Sequence, residues 1–298
     1  MVISYACLIA ALTLSSACAQ GTFRFQSNFW VNLHHFVRAE ARRRMVGDAQ
    51  LLPSLPAAAL DAYADAAKAS LVFDKRLIRI NSALAGVTGD TLPPGIVEPK
   101  IEAALKAAAP AYRAGLWERH RRDNETWIAE HAPLVRQHAA AMIRALSAAY
   151  QVRWPDGPIL VDLASETGPN EAYTTGGPPG TAGHTVIAPL KTADRDMAFE
   201  LVFHEASHTV DDQIMKHLEQ ACKPQQELWH ALIFFTVGSI AQRELGKSGD
   251  AAYEPYAYRY HLYDKGNWPA LRAALERDWR PYLEGKTGFD DAVRALVR

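Results

Sequence analysis

Residues 194–210 read Asp194-Arg195-Asp196-Met197-Ala198-Phe199-Glu200-Leu201-Val202-Phe203-His204-Glu205-Ala206-Ser207-His208-Thr209-Val210. Acidic residues at the start suit the positive end of a helix dipole, and Phe199, Val202, Phe203, Ala206 and Val210 recur at helical spacing. The spacing predicts a core helix. Positions i and i+4 share a face on such a helix, so His204 and His208 can turn their ring nitrogens toward one ion, with Glu205 offset beside them. Histidines on a buried helix require partners, because an unpaired polar group in the interior is costly.

The run His204-Glu205-Ala206-Ser207-His208 has the form HExxH and resembles the active-site motif of the zinc metallopeptidases called zincins. The resemblance implies one Zn2+ ion held by His204 and His208. It also implies a water whose pKa the metal lowers from about 15.7 toward about 7, with Glu205 as the general base that takes its proton.

A catalytic zinc site usually has three protein ligands and one open position. Eighteen residues separate His208 from Glu227. This gap is similar to that of the glutamate-liganded zincins, the gluzincins, in their aminopeptidase branch, and it implies Glu227 as the third ligand. His230 stands three residues further on, nearly on the same helical face, and imidazole is a good zinc ligand; Glu227 and His230 are both candidates. The likeness covers about residues 184–260. Two features depart from it: the Gly-Ala-Met-Glu-Asn segment of the aminopeptidases is absent, and Ala231 stands where thermolysin-like enzymes carry an aspartate. Asp211 or Asp212, one turn beyond His208, is left to orient a ligand.

Attack on an amide develops an oxyanion, which calls for a proton donor facing the metal. Gluzincins often use a tyrosine or histidine downstream of the third ligand. By that resemblance Tyr256, set by Pro255, is the first candidate, with Tyr253, Tyr260 and His261 behind it and Arg259 as a charge clamp. Tyrosines clustered in this way also pack helices.

Of 298 residues, 49% are hydrophobic and 22% charged, which suits one large or two modest globular domains and excludes a disordered chain. A formal net charge of -1 gives no global pull toward nucleic acid or an anionic membrane. Val2 to Leu14 is uncharged and mostly apolar, and Ala17-Cys18-Ala19 follows, which fits a secretory signal over 1–19 cleaved after Ala19. Export to the periplasm or the medium is the expectation, although no Lys or Arg precedes the apolar run. Cys18 as a lipid anchor is the alternative, because Leu14-Ser15-Ser16-Ala17-Cys18 loosely resembles a lipoprotein signal with its leucine one place too far away. Cleavage leaves Cys222 alone, which excludes an intramolecular disulfide and a zinc finger. No transmembrane segment is expected in the mature chain, since Leu228 to Ile240 is interrupted by His230, Thr236, Gly238 and Ser239.

The fold expected is α+β, mainly α: a zincin-like core of a small sheet and the active-site helix over 154–298, forming one unit with a helical region over 20–153. Helices are read at Phe29 to Met45, Pro56 to Leu71, Glu98 to Ala109 and Arg113 to Tyr150, with Pro110 and Pro133 as breaks or first-turn residues. His34 and His35 fall on the first of these, as structural residues or as lining of a cleft. Trp154-Pro155-Asp156-Gly157-Pro158 is a break, 159–163 and 184–188 read as strands, and 174–180 reads as a surface loop. A strand just before the active-site helix borders the zincin cleft, so 184–188 is either a site for addition of a peptide strand or an ordinary hairpin. Helices close the chain at Gln225 to Phe235, Pro269 to Tyr282 and Phe289 to Val297.

These readings lead to an exported zinc hydrolase that cleaves a peptide or small amide. The rival expectations are a non-catalytic scaffold of zincin fold and a zinc hydrolase of a non-peptide amide or ester.

Overall fold

Phe23-Arg24-Phe25-Gln26 forms a strand, β1, in the region where the sequence pattern announces only helices. Four residues are too few to show alternation, and the strand exists because Ile159–Leu163, β2, lies beside it in parallel register, Phe23 opposite Ile159 and Gln26 opposite Asp162. The computed structural model describes residues 22–167, 172–221, 227–247 and 252–298. The signal segment with Cys7 and Cys18, and the single cysteine Cys222, lie outside the described residues.

Two further strands complete a four-stranded mixed sheet of order β1-β2-β4-β3, with β3 at Ala172–Thr175 and β4 at Gly183–Ile187. β4 runs parallel to β2 on one side and antiparallel to β3 on the other. This corrects one expectation and decides between two alternatives in favour of the ordinary hairpin. Part of the loop read at 174–180 is strand, and the strand read at 184–188 has both of its edges paired, so it has no free ladder to offer an added peptide. Full burial of β2 and β4 follows from their central places in the sheet.

Helices make up most of the rest, so the chain is α+β and mainly α. α1, Phe29–Val46, starts at Asn28, whose side chain accepts from the Trp30 and Val31 N–H groups, and stops at Gly47 with φ 76°. The alanine-rich stretch read as one helix is two, α2 at Ala57–Ala62 and α3 at Ala64–Lys68, parted at buried Tyr63. α4, Lys75–Ala85, capped by Asp74, went unread. α5, Pro99–Tyr112, passes through a wide π turn at Arg113–Trp117 into α6, Glu118–Tyr150. Pro110 and Pro133 break neither helix; both lie inside. The remaining helices are α7 Arg195–Ser207, α8 Asp211–Ala221, α9 Leu228–Lys247, α10 Tyr256–Arg259, α11 Trp268–Ala274, α12 Arg280–Leu283 and α13 Phe289–Leu296. Among the described residues no helix is long and apolar enough to cross a membrane.

The chain divides into two compact units, one of residues 20–133 with 156–195 and the other of 134–155 with 196–298. Pairing with β1 enrols β2, and β4 and β3 with it, in the unit of the amino-terminal helices. The sheet and the HExxH helix thus belong to different units.

In the first unit, Phe29, Val31, Leu33, Phe36 and Val37 of α1 join one apolar cluster with Leu77, Leu84, Leu105 and Tyr112. Several of its buried polar groups are paired across distant segments. His34 bonds Tyr63, and His35 bonds the Val31 carbonyl and the Tyr173 hydroxyl, so both histidines are interior residues. Buried Asp162 accepts from Gln26 Nε2 at 2.9 Å, the Asn28 N–H at 3.1 Å and His184 Nε2 at 2.8 Å.

In the second unit every residue of α7 from Met197 to Ser207 is buried. A helix buried on all sides must pair its polar side chains internally.

Candidate metal centre

The helix that carries the motif ends inside it. α7 stops at Ser207, and His208–Val210 forms a tighter 3-10 turn before α8 begins at Asp211. Two hydroxyls bond backward at this place, Ser207 Oγ to the Phe203 carbonyl at 2.9 Å and Thr209 Oγ1 to that of Ala206 at 2.7 Å. Such back-bonding competes with the regular ladder and tightens or bends the helix. His204 and His208 still meet, with 3.2 Å between their Nε2 atoms.

α9 brings a third imidazole. One ring nitrogen from each of His204, His208 and His230 lies within 4.8 Å of the other two. Ring centroids are 5.4 Å apart for His204 and His230 and 5.3 Å for His208 and His230. Two nitrogens about 2.0–2.1 Å from a tetrahedral zinc ion stand about 3.3 Å apart, close to the separation found for the first pair. His208 Nδ1 lies 3.0 Å from an Asp211 carboxylate oxygen, and in the neutral ring a proton on Nδ1 directed at Asp211 leaves Nε2 with the lone pair. His204 Nδ1 is buried without a hydrogen-bond partner. This donor set fits zinc: three imidazoles, one orphaned nitrogen and a carboxylate behind one ring.

Electrostatics keep two of the rings neutral. Burial, with His208 and His230 nearby, lowers the His204 pKa well below the usual histidine value. Burial, with His208 next in weight, lowers that of His230 to about 3. For His208 burial also acts downward, but the Asp211 hydrogen bond and the Glu205 and Asp211 charges outweigh it and hold the pKa above the ordinary value. Burial raises Asp211, against the pull of His208. Glu205 is buried, with 5% of its surface exposed, and its charge is felt at His208.

Glu227 stands apart from the cluster. It is exposed, has a left-handed φ of 71°, and turns its carboxylate to Trp268 Nε1 at 2.9 Å. Its carbonyl starts α9 by accepting from the His230 and Ala231 N–H groups. The pairing left open between Asp211 and Asp212 resolves to Asp211, and Asp212 is exposed.

Aromatic rings wall the cluster. Phe234 stacks on His204 at 3.8 Å and Trp229 on His230 at 5.1 Å, while Trp268 meets His230 edge-on at 5.8 Å. Tyr256 lies nearly parallel to Phe234, 5.9 Å away and 13° between planes. Of the other downstream candidates, Tyr253 is buried with its hydroxyl on Glu200, Tyr260 packs on Tyr256 and is 39% exposed, and His261 is exposed and bonded to Asp264. Arg259 lies over the Tyr260 ring.

Glu200 is the residue that sequence reasoning passed over. It is fully buried on α7, one turn before His204, and its Oε2 accepts from the Tyr253 hydroxyl at 2.6 Å and the Tyr256 N–H at 3.0 Å. A lone carboxylate between Phe199 and Leu201 was the available signal, because a buried helix does not carry one without partners. Burial raises its pKa from 4.5 to about 7 against the pull of these two bonds. Comparison with protein-family models, with curated proteins and with solved structures finds no match.

Proposed function

We propose that the protein is a zinc-dependent hydrolase, most simply a peptidase, in which His204, His208 and His230 hold the metal and Glu205 is the general base. The observation that carries the reading is the convergence of three imidazole nitrogens within 4.8 Å, beside a buried glutamate. When bound, zinc supplies Lewis acidity, lowering the proton affinity of water and polarising a carbonyl.

The chain's own groups do the rest. Asp211 accepts from His208 Nδ1 and fixes the tautomer that presents Nε2. Glu205 takes a proton at its carboxylate during attack on an amide and returns it to the departing nitrogen. Tyr256 donates to the developing oxyanion. The aromatic wall of Trp229, Phe234 and Trp268 excludes water, which strengthens each of these interactions. The export expectation from the amino-terminal stretch belongs to the same reading.

Replacement Glu205→Gln tests it. The variant retains zinc, measured by atomic absorption after dialysis, and loses nearly all hydrolysis of a quenched fluorescent peptide pool. Hydrolysis at the parental rate by the zinc-loaded variant would falsify the mechanism. A parent protein that binds zinc and cleaves neither peptides nor simple amides and esters would point to a scaffold instead.

A further inference from the structure

We propose that Glu200 is a positioning residue of this site: its buried carboxylate fixes the start of α10 and, through it, the place of Tyr256 beside the histidine cluster. The inference rests on the proposed reaction for its catalytic consequence, but the positioning itself is independent of it.

Three features carry it. Oε2 of Glu200 accepts both the Tyr253 hydroxyl and the Tyr256 N–H, so one oxygen holds the segment at two points three residues apart. The Tyr256 ring lies along Phe234, and Phe234 is stacked on His204, so the anchored residue is one ring removed from a candidate ligand. Gly238 of α9 makes the approach feasible. A Cβ there would sit 2.7 Å from Pro255 Cβ, closer than side chains tolerate, and 3.1 Å from Glu200 Oε1, a tight contact that would press on the carboxylate. Three segments therefore close on one carboxylate: α7 brings it, α9 leaves it room, and the Tyr253–Tyr256 turn is tied down by it.

The chemistry explains why an acid stands here. The first residue of a short helix has no intrahelical partner for its N–H, and a buried N–H needs an acceptor. Glu200 supplies that acceptor from α7. Oε1 has no hydrogen-bond partner, so a proton can rest on it while Oε2 continues to accept both bonds. The neutral isostere should accept in the same way, whereas an apolar residue of similar size cannot.

The test compares Glu200→Leu, Glu200→Gln and Gly238→Ala. For the Leu and Ala variants kcat should fall about 100-fold, the scale of a 1 Å misplacement, with KM and zinc content unchanged, while Gln retains most of the parental kcat. Amide hydrogen exchange at Tyr256, read without substrate, should quicken in the Leu variant and stay slow in the Gln variant. Parental kcat in Glu200→Leu, equal damage from Gln and Leu, or unchanged exchange at Tyr256 in the Leu variant would overturn the proposal. If Glu200→Leu fails to fold, Gly238→Ala and the Gln variant carry the same comparison. A parent without hydrolytic activity sinks the reaction, and the exchange measurement then decides the positioning alone.

Discussion

His208 turns its Nδ1 onto Asp211, 3.0 Å from one carboxylate oxygen and 3.2 Å from the other, across the step where α7 gives way to α8. The two residues are three positions apart, so the tight turn at His208–Val210 is what brings them together. Ring orientation and tautomer at the second histidine of the motif are thus set by the same local bend.

Removing that carboxylate should weaken the metal centre without dismantling it. In Asp211→Ala the affinity for zinc is expected to drop about 10–100-fold, the usual cost of losing such a partner. Competition against a chromophoric chelator measures it directly.

The third ligand is decided by a pair of variants. After dialysis, His230→Ala should hold background zinc, and Glu227→Ala should hold the parental amount. Zinc at about 100 times its dissociation constant should raise the unfolding free energy of the parent by about 2.7 kcal/mol, and this gain should vanish in His230→Ala. Retention of both zinc and the stability gain in that variant would remove His230 from the site.

Glu200 gives stability a pH dependence of definite sign. Its pKa in the folded chain, about 7, lies above the ordinary 4.5, so the folded state binds this proton more tightly than the unfolded state does. The contribution is complete below pH 4.5 and is lost as pH rises toward 7, amounting to on the order of 3 kcal/mol. Urea unfolding at pH 4.5, 6 and 8 should show this component in the parent and its absence in Glu200→Gln. Equal slopes for the two proteins would show that the carboxyl does not titrate in this range.

Asp162 anchors the other unit. Its replacement by Ala leaves Gln26, Asn28 and His184 without their common acceptor, and the expected loss is about 3–5 kcal/mol, as for a buried charged partner removed alone. Tryptophan fluorescence during denaturation reports it. A change under about 0.5 kcal/mol would mean that water or a rearranged neighbour satisfies these donors.

Patterns local in sequence were readable, and the rest depended on distant partners. The 194–210 segment declared a buried helix with its histidines on one face, because periodicity and charge placement are properties of adjacent residues. β1 could not be read, since four residues acquire strand identity only from β2. Pro133 departs from its local preference for a related reason: neighbouring turns can carry a proline inside a long helix. For the third ligand, helical spacing puts positions 227 and 230 nearly on one face, and spacing alone does not separate them. In the fold, Glu227 precedes the helix with a left-handed φ and its carboxylate accepts from the Trp268 indole, while His230 lies with His204 and His208. Glu200 was hidden by the same limitation, as its partners Tyr253 and Tyr256 lie more than fifty positions away.

The pairing of β1 with β2 also governs how this protein is born. Gln26 and Asp162 are 136 positions apart, and a ribosome adding about 5–20 residues per second needs on the order of ten seconds to span that interval. Throughout it, the Phe23–Gln26 segment has no β2 to pair with, and water solvates its backbone. Assembly of the sheet is therefore late: its first strand is fixed only after β2 has been synthesised.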